Sequence, residues 1–123
     1  MRLLLDTHTV LWWLAGDERL SDRAADAISA AEADSLVSAA SIWEASIKQS
    51  AGKLVGPDLF TATTGSGFPV LAMTGEHARL AGQLPLHHRD PFDRMLVAQA
   101  SLDGLVLVSR DEGLRTYGIP VLW

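Results

Sequence analysis

Short apolar runs alternate along the chain with stretches in which apolar residues recur at the spacing of a helix. The apolar runs predict strands over residues 3–5, 36–37, 70–71, 105–108 and 119–122. The periodic stretches predict helices over residues 9–15, 22–33, 41–51, 76–83 and 91–103, with short helical segments within 57–67 and 111–117. Strands that alternate with helices form a parallel sheet covered on both faces, so the pattern predicts an α/β fold.

The chain has the size and composition of one domain. It contains 123 residues, of which 48% are apolar, and it shows no internal repeat, low-complexity tract or linker. The clearest internal boundary lies at Asp90-Pro91, because aspartate is a preferred N-cap and proline is favoured in the first helical turn. We therefore expect a single domain over residues 1–123.

Four acidic residues follow predicted strands. Asp6 ends the first apolar run, Glu44 lies in the helix after the second, Asp93 opens the long helix, and Asp111 follows residues 105–108. Ligands of open α/β sheets bind beyond the carboxyl ends of the strands, so these acids are predicted to converge there. Carboxylate oxygens suit hard cations such as Mg²⁺ and Mn²⁺, whereas zinc would favour histidine or cysteine.

Each acid also has a structural interpretation. Glu44 fits a capping box that begins at Ser41, and taken alone that interpretation is the better one. A turn, a cap or a first helical turn explains the other helix-associated acids, Asp90, Asp93 and Asp111. Asp6 is harder to explain in this way, because an acid that ends a buried strand needs a partner.

Charge and cysteine content restrict the function classes. The formal net charge of −5 argues against nucleic-acid binding through bulk positive charge, so any such contact must be local. Four arginines flank the third and fourth acids, and we weigh phosphate contact equally against ordinary solvated surface: Arg89, Arg94, Arg110 and Arg115. The chain has no cysteine and no apolar run long enough to cross a membrane. An acid as early as residue 6 argues against a signal peptide, so we expect a cytoplasmic protein with no membrane partner.

Four segments carry a family resemblance. They are LLLDTHTVLWWL at 3–14, SAASIWE at 38–44 with Lys48 after it, DPFDRMLVAQA at 90–100 and LVSRD at 107–111. In this order they resemble the motifs of PIN-domain toxins of the VapC type, and the match covers nearly the whole chain. The long first and third motifs are more specific than scattered acids.

The resemblance implies a fold and an activity. The fold would be a three-layer α/β/α PIN-like domain with a central parallel sheet of about four to five strands. The activity would be that of an Mg²⁺- or Mn²⁺-dependent endoribonuclease, the toxin of a bacterial toxin–antitoxin pair, which cleaves RNA phosphodiesters with metal-activated water. The implied partners are RNA, a cognate antitoxin protein and a second copy in a homodimer, with a higher toxin–antitoxin assembly as a further option.

The resemblance also assigns residues. The catalytic and metal-binding acids would be Asp6, Glu44, Asp93 and Asp111. Ser109 would orient a carboxylate or water, and Asp90 is a second supporting candidate because it lies close to Asp93. The candidate RNA contacts are Arg89, Arg94 and Arg110.

Other functions are weaker matches. A phosphoacceptor signalling domain would need an acidic pair after the first strand and a late lysine, and a phosphatase would need an Asp-x-Asp there. The alternative that stays open is a non-catalytic PIN-like module that binds RNA or protein. His87 and His88 are interpreted as a surface loop rather than general bases. Trp12, Trp13 and Trp43 are interpreted as core or interface, and the first two with Leu14 motivate the predicted homodimer.

Overall fold

The central element is a five-stranded parallel sheet. In the computed structural model, which describes residues 1–123, the strands are β1 (Arg2–Leu5), β2 (Asp34–Ser38), β3 (Val70–Leu71), β4 (Val106–Val108) and β5 (Val121–Leu122). Their spatial order is β3-β2-β1-β4-β5, and every neighbouring pair is parallel. The predicted parallel α/β sheet is confirmed, and β1 lies at its centre.

Six α-helices and one 3-10 helix surround the sheet. The helices are α1 (Thr7–Ala15), α2 (Asp22–Ser29), α3 (Ala39–Ser50), α4 (Leu59–Gly65), α5 (Gly75–Gln83) and α6 (Pro91–Asp103), and the 3-10 helix spans Glu112–Tyr117. The helices after β1 and β2 begin one or two residues after their strands end. No helix is long and apolar enough to cross a membrane.

Three predicted helix boundaries are wrong. The first helix begins at Thr7 rather than at residue 9, because Asp6 is its N-cap. The second helix ends at Ser29 rather than near residue 33, because Ala30 is extended and leads the chain into β2. The third helix begins at Ala39, and its N-cap is Ser38, whose hydroxyl accepts a hydrogen bond from the backbone N–H of Ala40 at 3.0 Å. Ser41 is therefore inside the helix, and the predicted capping box with Glu44 does not form.

The core lies on both faces of the sheet. Leu3, Leu4 and Leu5 of β1 are all fully buried. Because side chains alternate along a strand, Leu3 and Leu5 join a cluster with α1, α2, α3 and α4, whereas Leu4 joins a cluster with α6 and the 3-10 helix. These two clusters give the three-layer architecture, and the carboxyl ends of β1, β2 and β4 lie at one edge of the sheet.

Candidate active site

Asp6 lies at the point where β1 becomes α1. Its backbone N–H donates to the carbonyl of Val108 at 3.1 Å, which ties the end of β1 to the end of β4. Its Oδ1 accepts a hydrogen bond from the Thr9 N–H at 2.8 Å and caps α1. Oδ2 makes no hydrogen bond to the protein, so one oxygen fixes the side chain while the other stays available to a ligand.

Glu44 is held from two sides. It is 8% exposed, its Oε1 accepts from the Thr7 hydroxyl at 2.6 Å, and its Oε2 accepts from the Lys48 ammonium at 2.9 Å. The Thr7 hydroxyl also lies 3.0 Å from that of Ser41. Lys48 belongs to the second motif but was given no role there, and Thr7 was not selected from the sequence. The spacing of Lys48 one helical turn after Glu44 was the signal for that contact, whereas Thr7 gave none.

Asp90 and Asp93 occupy the first turn of α6. Asp90 is the N-cap, and its Oδ1 accepts from the Phe92 N–H at 2.8 Å. Burial, followed by repulsion from the nearby carboxylates, raises the pKa of Asp93 from 3.8 to about 7; those carboxylates are Asp90, Asp6, Glu44 and Asp111. Asp93 is therefore the acid whose negative charge is most costly in the cation-free site.

Asp111 is oriented by its own turn and by a histidine. The fully buried Ser109 accepts from the Asp111 N–H at 3.1 Å, and Asp111 Oδ1 accepts from the Gly113 N–H at 3.0 Å. The Nε2 of His88 lies 3.0 Å from Asp111 Oδ2, and the His88 N–H donates to the Tyr117 hydroxyl at 2.7 Å. His88 lies in the predicted loop, but its side chain is only 20% exposed and lies against Asp111. His87 is exposed, as a surface position would be.

These residues line one pocket at the carboxyl edge of the sheet. Its volume is about 480 Å³, and its only apolar lining residue is Trp12. The other ten are Asp6, Thr7, His8, Glu44, Lys48, Asp90, Asp93, Ser109, Arg110 and Asp111. The four acids selected from the sequence thus lie around one space, together with both supporting residues.

The three predicted RNA-contacting arginines lie in different places. Arg110 lines the pocket, and Arg89 is exposed but does not line it. Arg94 is 9% exposed and donates to four backbone carbonyls, those of Ala81, Leu84, Pro85 and His88. The prediction that Arg94 contacts RNA is wrong, because its guanidinium is buried and used within the fold.

The donor chemistry of the pocket fits a hard divalent cation. Its acidic lining offers only oxygen ligands. The pKa of Asp93 is raised first by burial and then by repulsion from the other carboxylates, and a bound cation would relieve that repulsion. As the side chains lie, no three acidic or histidine side chains converge into a ready set of ligands for one ion. A cation would therefore draw the carboxylates inward, with water and substrate oxygens completing its coordination.

Comparison with known proteins agrees with the fold and the pocket. The model of the PIN domain matches residues 3–120, and the chain therefore belongs to the PIN-domain family. Its sequence is 33% identical over 123 residues to Ribonuclease VapC22 of Mycobacterium tuberculosis, covering 96% of this chain and 93% of that relative. Within the family, the chain is thus a homologue of a VapC ribonuclease.

Solved structures of low identity share the fold. FitAcB from Neisseria gonorrhoeae matches with a TM-score of 0.68 and 19% identity, over 97% of this chain and 95% of that one. VapBC2 from Rickettsia felis, bound to a DNA fragment from its promoter, matches with a TM-score of 0.68 and 11% identity, over 98% and 97%. DNA-bound VapBC from Salmonella typhimurium matches with a TM-score of 0.66 and 20% identity, over 98% and 96%. The predicted PIN-like architecture is confirmed.

Proposed function

We propose that this protein is an Mg²⁺- or Mn²⁺-dependent endoribonuclease that acts in the cytoplasm as the toxin of a bacterial toxin–antitoxin pair. The observation that supports this proposal best is the pocket in which Asp6, Glu44, Asp93 and Asp111 lie together at the carboxyl edge of the sheet. The kinship with Ribonuclease VapC22 gives RNA as the substrate class.

The residues of the pocket have distinct roles in this proposal. A bound Mg²⁺ or Mn²⁺ would lower the pKa of a water and neutralise charge that develops on the phosphate. Asp6, Glu44, Asp93 and Asp111 would hold the cation, and Asp90 would add negative charge beside it. Ser109 keeps the turn of Asp111 in place through the hydrogen bond from its N–H. Arg110, exposed at the pocket, would contact a substrate phosphate.

The decisive experiment incubates the purified protein with total cellular RNA, with Mg²⁺ or Mn²⁺ and with EDTA. Because water rather than the ribose 2′-hydroxyl is the attacking group, we expect products with 5′-phosphate and 3′-hydroxyl ends. Persistent 2′,3′-cyclic phosphate ends would rule this mechanism out. RNA binding without cleavage in either cation would identify the alternative, a non-catalytic RNA-binding module.

A matched pair of variants separates loss of chemistry from loss of fold. Asp6→Asn removes one charge but can still cap α1, so cleavage and Mn²⁺ affinity should fall sharply while stability changes little. Asp58→Asn is the control, because Asp58 caps α4 with the same kind of hydrogen bonds and does not line the pocket. Equal activity in the two variants would refute the assignment of Asp6.

The antitoxin has a candidate docking place beside the pocket. A groove of about 550 Å³ shares His8, Trp12 and Lys48 with the acidic pocket, and half of its sixteen lining residues are apolar. We propose that an antitoxin segment lays an apolar face there and extends an arginine to the carboxylates. The similarity to VapBC complexes favours a protein partner of this kind.

The homodimer remains a prediction, and the surface that motivated it has partners within the chain. Trp13 packs against Phe68, and both Trp13 and Leu14 pack against the core cluster that contains Leu3 and Leu5. Trp12 packs against Trp123 and lies under the Arg19 guanidinium. Light scattering across a dilution series tests the dimer directly. A clean monomer at roughly 50 µM would contradict it.

A further inference from the structure

Lys48 lies between the acidic pocket and the neighbouring groove. It is in the last turn of α3, and its Nζ lies 2.9 Å from Glu44 Oε2, one helical turn earlier. Only two other residues, His8 and Trp12, line both spaces. An RNA strand that lies in the groove and reaches the carboxylates would therefore pass close to these three residues, of which Lys48 is the one with a fixed positive charge.

The ion pair between Lys48 and Glu44 can be broken so that Lys48 contacts another anion. The Glu44 side chain is 11% exposed, but that of Lys48 is 38% exposed, so the ammonium keeps contact with solvent. A partly exposed i,i+4 pair of this kind contributes little net stability. The ammonium can leave Glu44 at small cost, whereas Thr7 holds the other Glu44 oxygen at 2.6 Å and keeps the carboxylate in place.

The charges around Lys48 determine when it would leave Glu44. Five carboxylates line the acidic pocket with two cationic side chains, Lys48 and Arg110, and only Lys48 forms an ion pair with one of them. A divalent cation at these carboxylates would compete with the ammonium for Glu44 and repel it. The released ammonium would then lie free at the mouth of the groove, where a polyanion would attract it.

We propose that Lys48 is an exchangeable counter-ion: it neutralises Glu44 in the cation-free protein and, once a divalent cation is bound, contacts a phosphate of the RNA. The inference rests on the proposed function and adds a substrate-contacting residue to it. It requires that Lys48 weaken cation binding and strengthen phosphate binding, two effects of opposite sign.

The first measurement is Mn²⁺ affinity by calorimetry, which needs no RNA cleavage. Lys48→Met removes the charge and keeps most of the length, and we expect it to bind Mn²⁺ about tenfold more tightly than wild type, the effect in water of one unit charge about 6 Å from a divalent ion. Lys48→Arg keeps the charge and should stay near wild type. The control is Arg79→Met, which removes a charge from an exposed position of α5 outside the pocket.

The second measurement is the affinity of the Mg²⁺-loaded protein for adenosine 5′-monophosphate by ³¹P NMR titration. This probe carries a phosphate but no phosphodiester bond, so turnover does not interfere. Lys48→Met should weaken its binding several-fold, and Lys48→Arg should restore it. A merely structural role for Lys48 would lower both affinities, because a distorted pocket would bind the cation less well.

The outcomes separate this inference from the proposed function. Unchanged or weaker Mn²⁺ binding by Lys48→Met would overturn the counter-ion role, and unchanged nucleotide binding would overturn the phosphate contact. If wild type binds Mn²⁺ and both shifts occur but RNA is not cleaved, the nuclease function fails while the exchange stands. If RNA is cleaved and neither shift occurs, only the role of Lys48 fails.

Discussion

At the scale of one residue, Asp93 shows how the fold makes a negative charge in the pocket unfavourable unless a cation balances it. Burial and four neighbouring carboxylates raise its pKa to about 7, so in the cation-free protein it is protonated over much of the acidic range. A divalent cation bound in the pocket, as proposed, would reverse that preference, because it would stabilise the ionised carboxylate. In the proposed site, the same side chain would therefore link proton binding, cation binding and stability.

The first prediction is a pH dependence of stability in EDTA. The pKa of Asp93 is about 7 in the folded chain against the model value of 3.8, so the folded state binds more protons between these values. The stabilisation that protonated Asp93 provides is fully present below pH 3.8 and is lost as pH rises through about 7. Relative to Asp93→Asn, the free energy of unfolding should fall by on the order of 2 kcal/mol, after allowance for solvent screening.

Urea unfolding of both proteins from pH 4 to pH 8 measures this difference. Asn keeps the size of the side chain and cannot ionise, so the variant reports all other titrating groups. Parallel curves for wild type and Asp93→Asn would show that the fold does not raise the pKa of this carboxyl.

Single residues also mark how far sequence reasoning reaches. Asp6 and Asp111 could be placed at one edge of the sheet, because each follows a buried apolar run and parallel strands end together. The contact of His88 with Asp111 could not, because the two are 23 residues apart in irregular segments whose path no periodicity describes. The prediction for Arg94 is wrong for a related reason. The sequence does not show whether an arginine next to an acid faces solvent or donates to backbone carbonyls.

At the scale of elements, a side chain of α6 holds the loop between α5 and α6 in place. Arg94 donates to the carbonyls of Ala81, Leu84, Pro85 and His88, and so ties the end of α5 and the following loop to α6. No carboxylate forms an ion pair with Arg94, so the buried charge is balanced by these carbonyl dipoles. The loop in turn positions His88 against Asp111.

The second prediction is that Arg94→Met destabilises the protein without removing a substrate contact. The variant removes four hydrogen bonds to carbonyls, of which that of Pro85 still accepts from the His87 N–H, and we expect a loss of roughly 3 kcal/mol in the free energy of unfolding. Arg110→Met is the matched control, because Arg110 is exposed and makes no ion pair, so its stability should change by about 0.5 kcal/mol or less. Urea unfolding compares them, and equal stability of the two variants would refute the structural role of Arg94.

The elements themselves were largely predictable, and their ends less so. Every predicted strand and helix is present, because alternation of short apolar runs with helical periodicity is a strong local signal. The start of α3 was misplaced because Ser38 and Ser41 are equally good caps in isolation. The position of β2 decides which serine is the cap. This strand pairs with β1 through Val37 and ends at Ser38, so the helix begins directly after it.

At the scale of the whole molecule, the site joins distant parts of the chain. The acids come from the end of β1, from α3, from the start of α6 and from the segment after β4. Burial of β1 in both core clusters stabilises the folded chain. The five carboxylates in one pocket destabilise it, because folding brings their negative charges together. A cation that binds only the folded chain must therefore stabilise the entire domain.

The third prediction is that Mn²⁺ raises the melting temperature in a concentration-dependent manner. At a concentration of 100 times the Kd the gain should be about 2.7 kcal/mol, which is on the order of 10 °C for a domain of this size. Asp6→Asn should remove most of this gain, and Asp58→Asn should keep it. Differential scanning calorimetry in EDTA and in increasing Mn²⁺ gives the result, and an equal gain in Asp6→Asn would place the bound cation elsewhere.

The last prediction concerns control of the proposed nuclease by the proposed antitoxin. An RNA-cutting enzyme is hazardous in its own cell, and five clustered carboxylates would attract an arginine, whose planar guanidinium matches a carboxylate. If an antitoxin arginine enters the pocket, Asp93→Asn should weaken the complex by roughly tenfold. An arginine-to-alanine change in the small protein encoded beside the gene should then cost less affinity in that background than in wild type. Full additivity across this double-mutant cycle would instead show that the antitoxin only covers the pocket without contacting its acids.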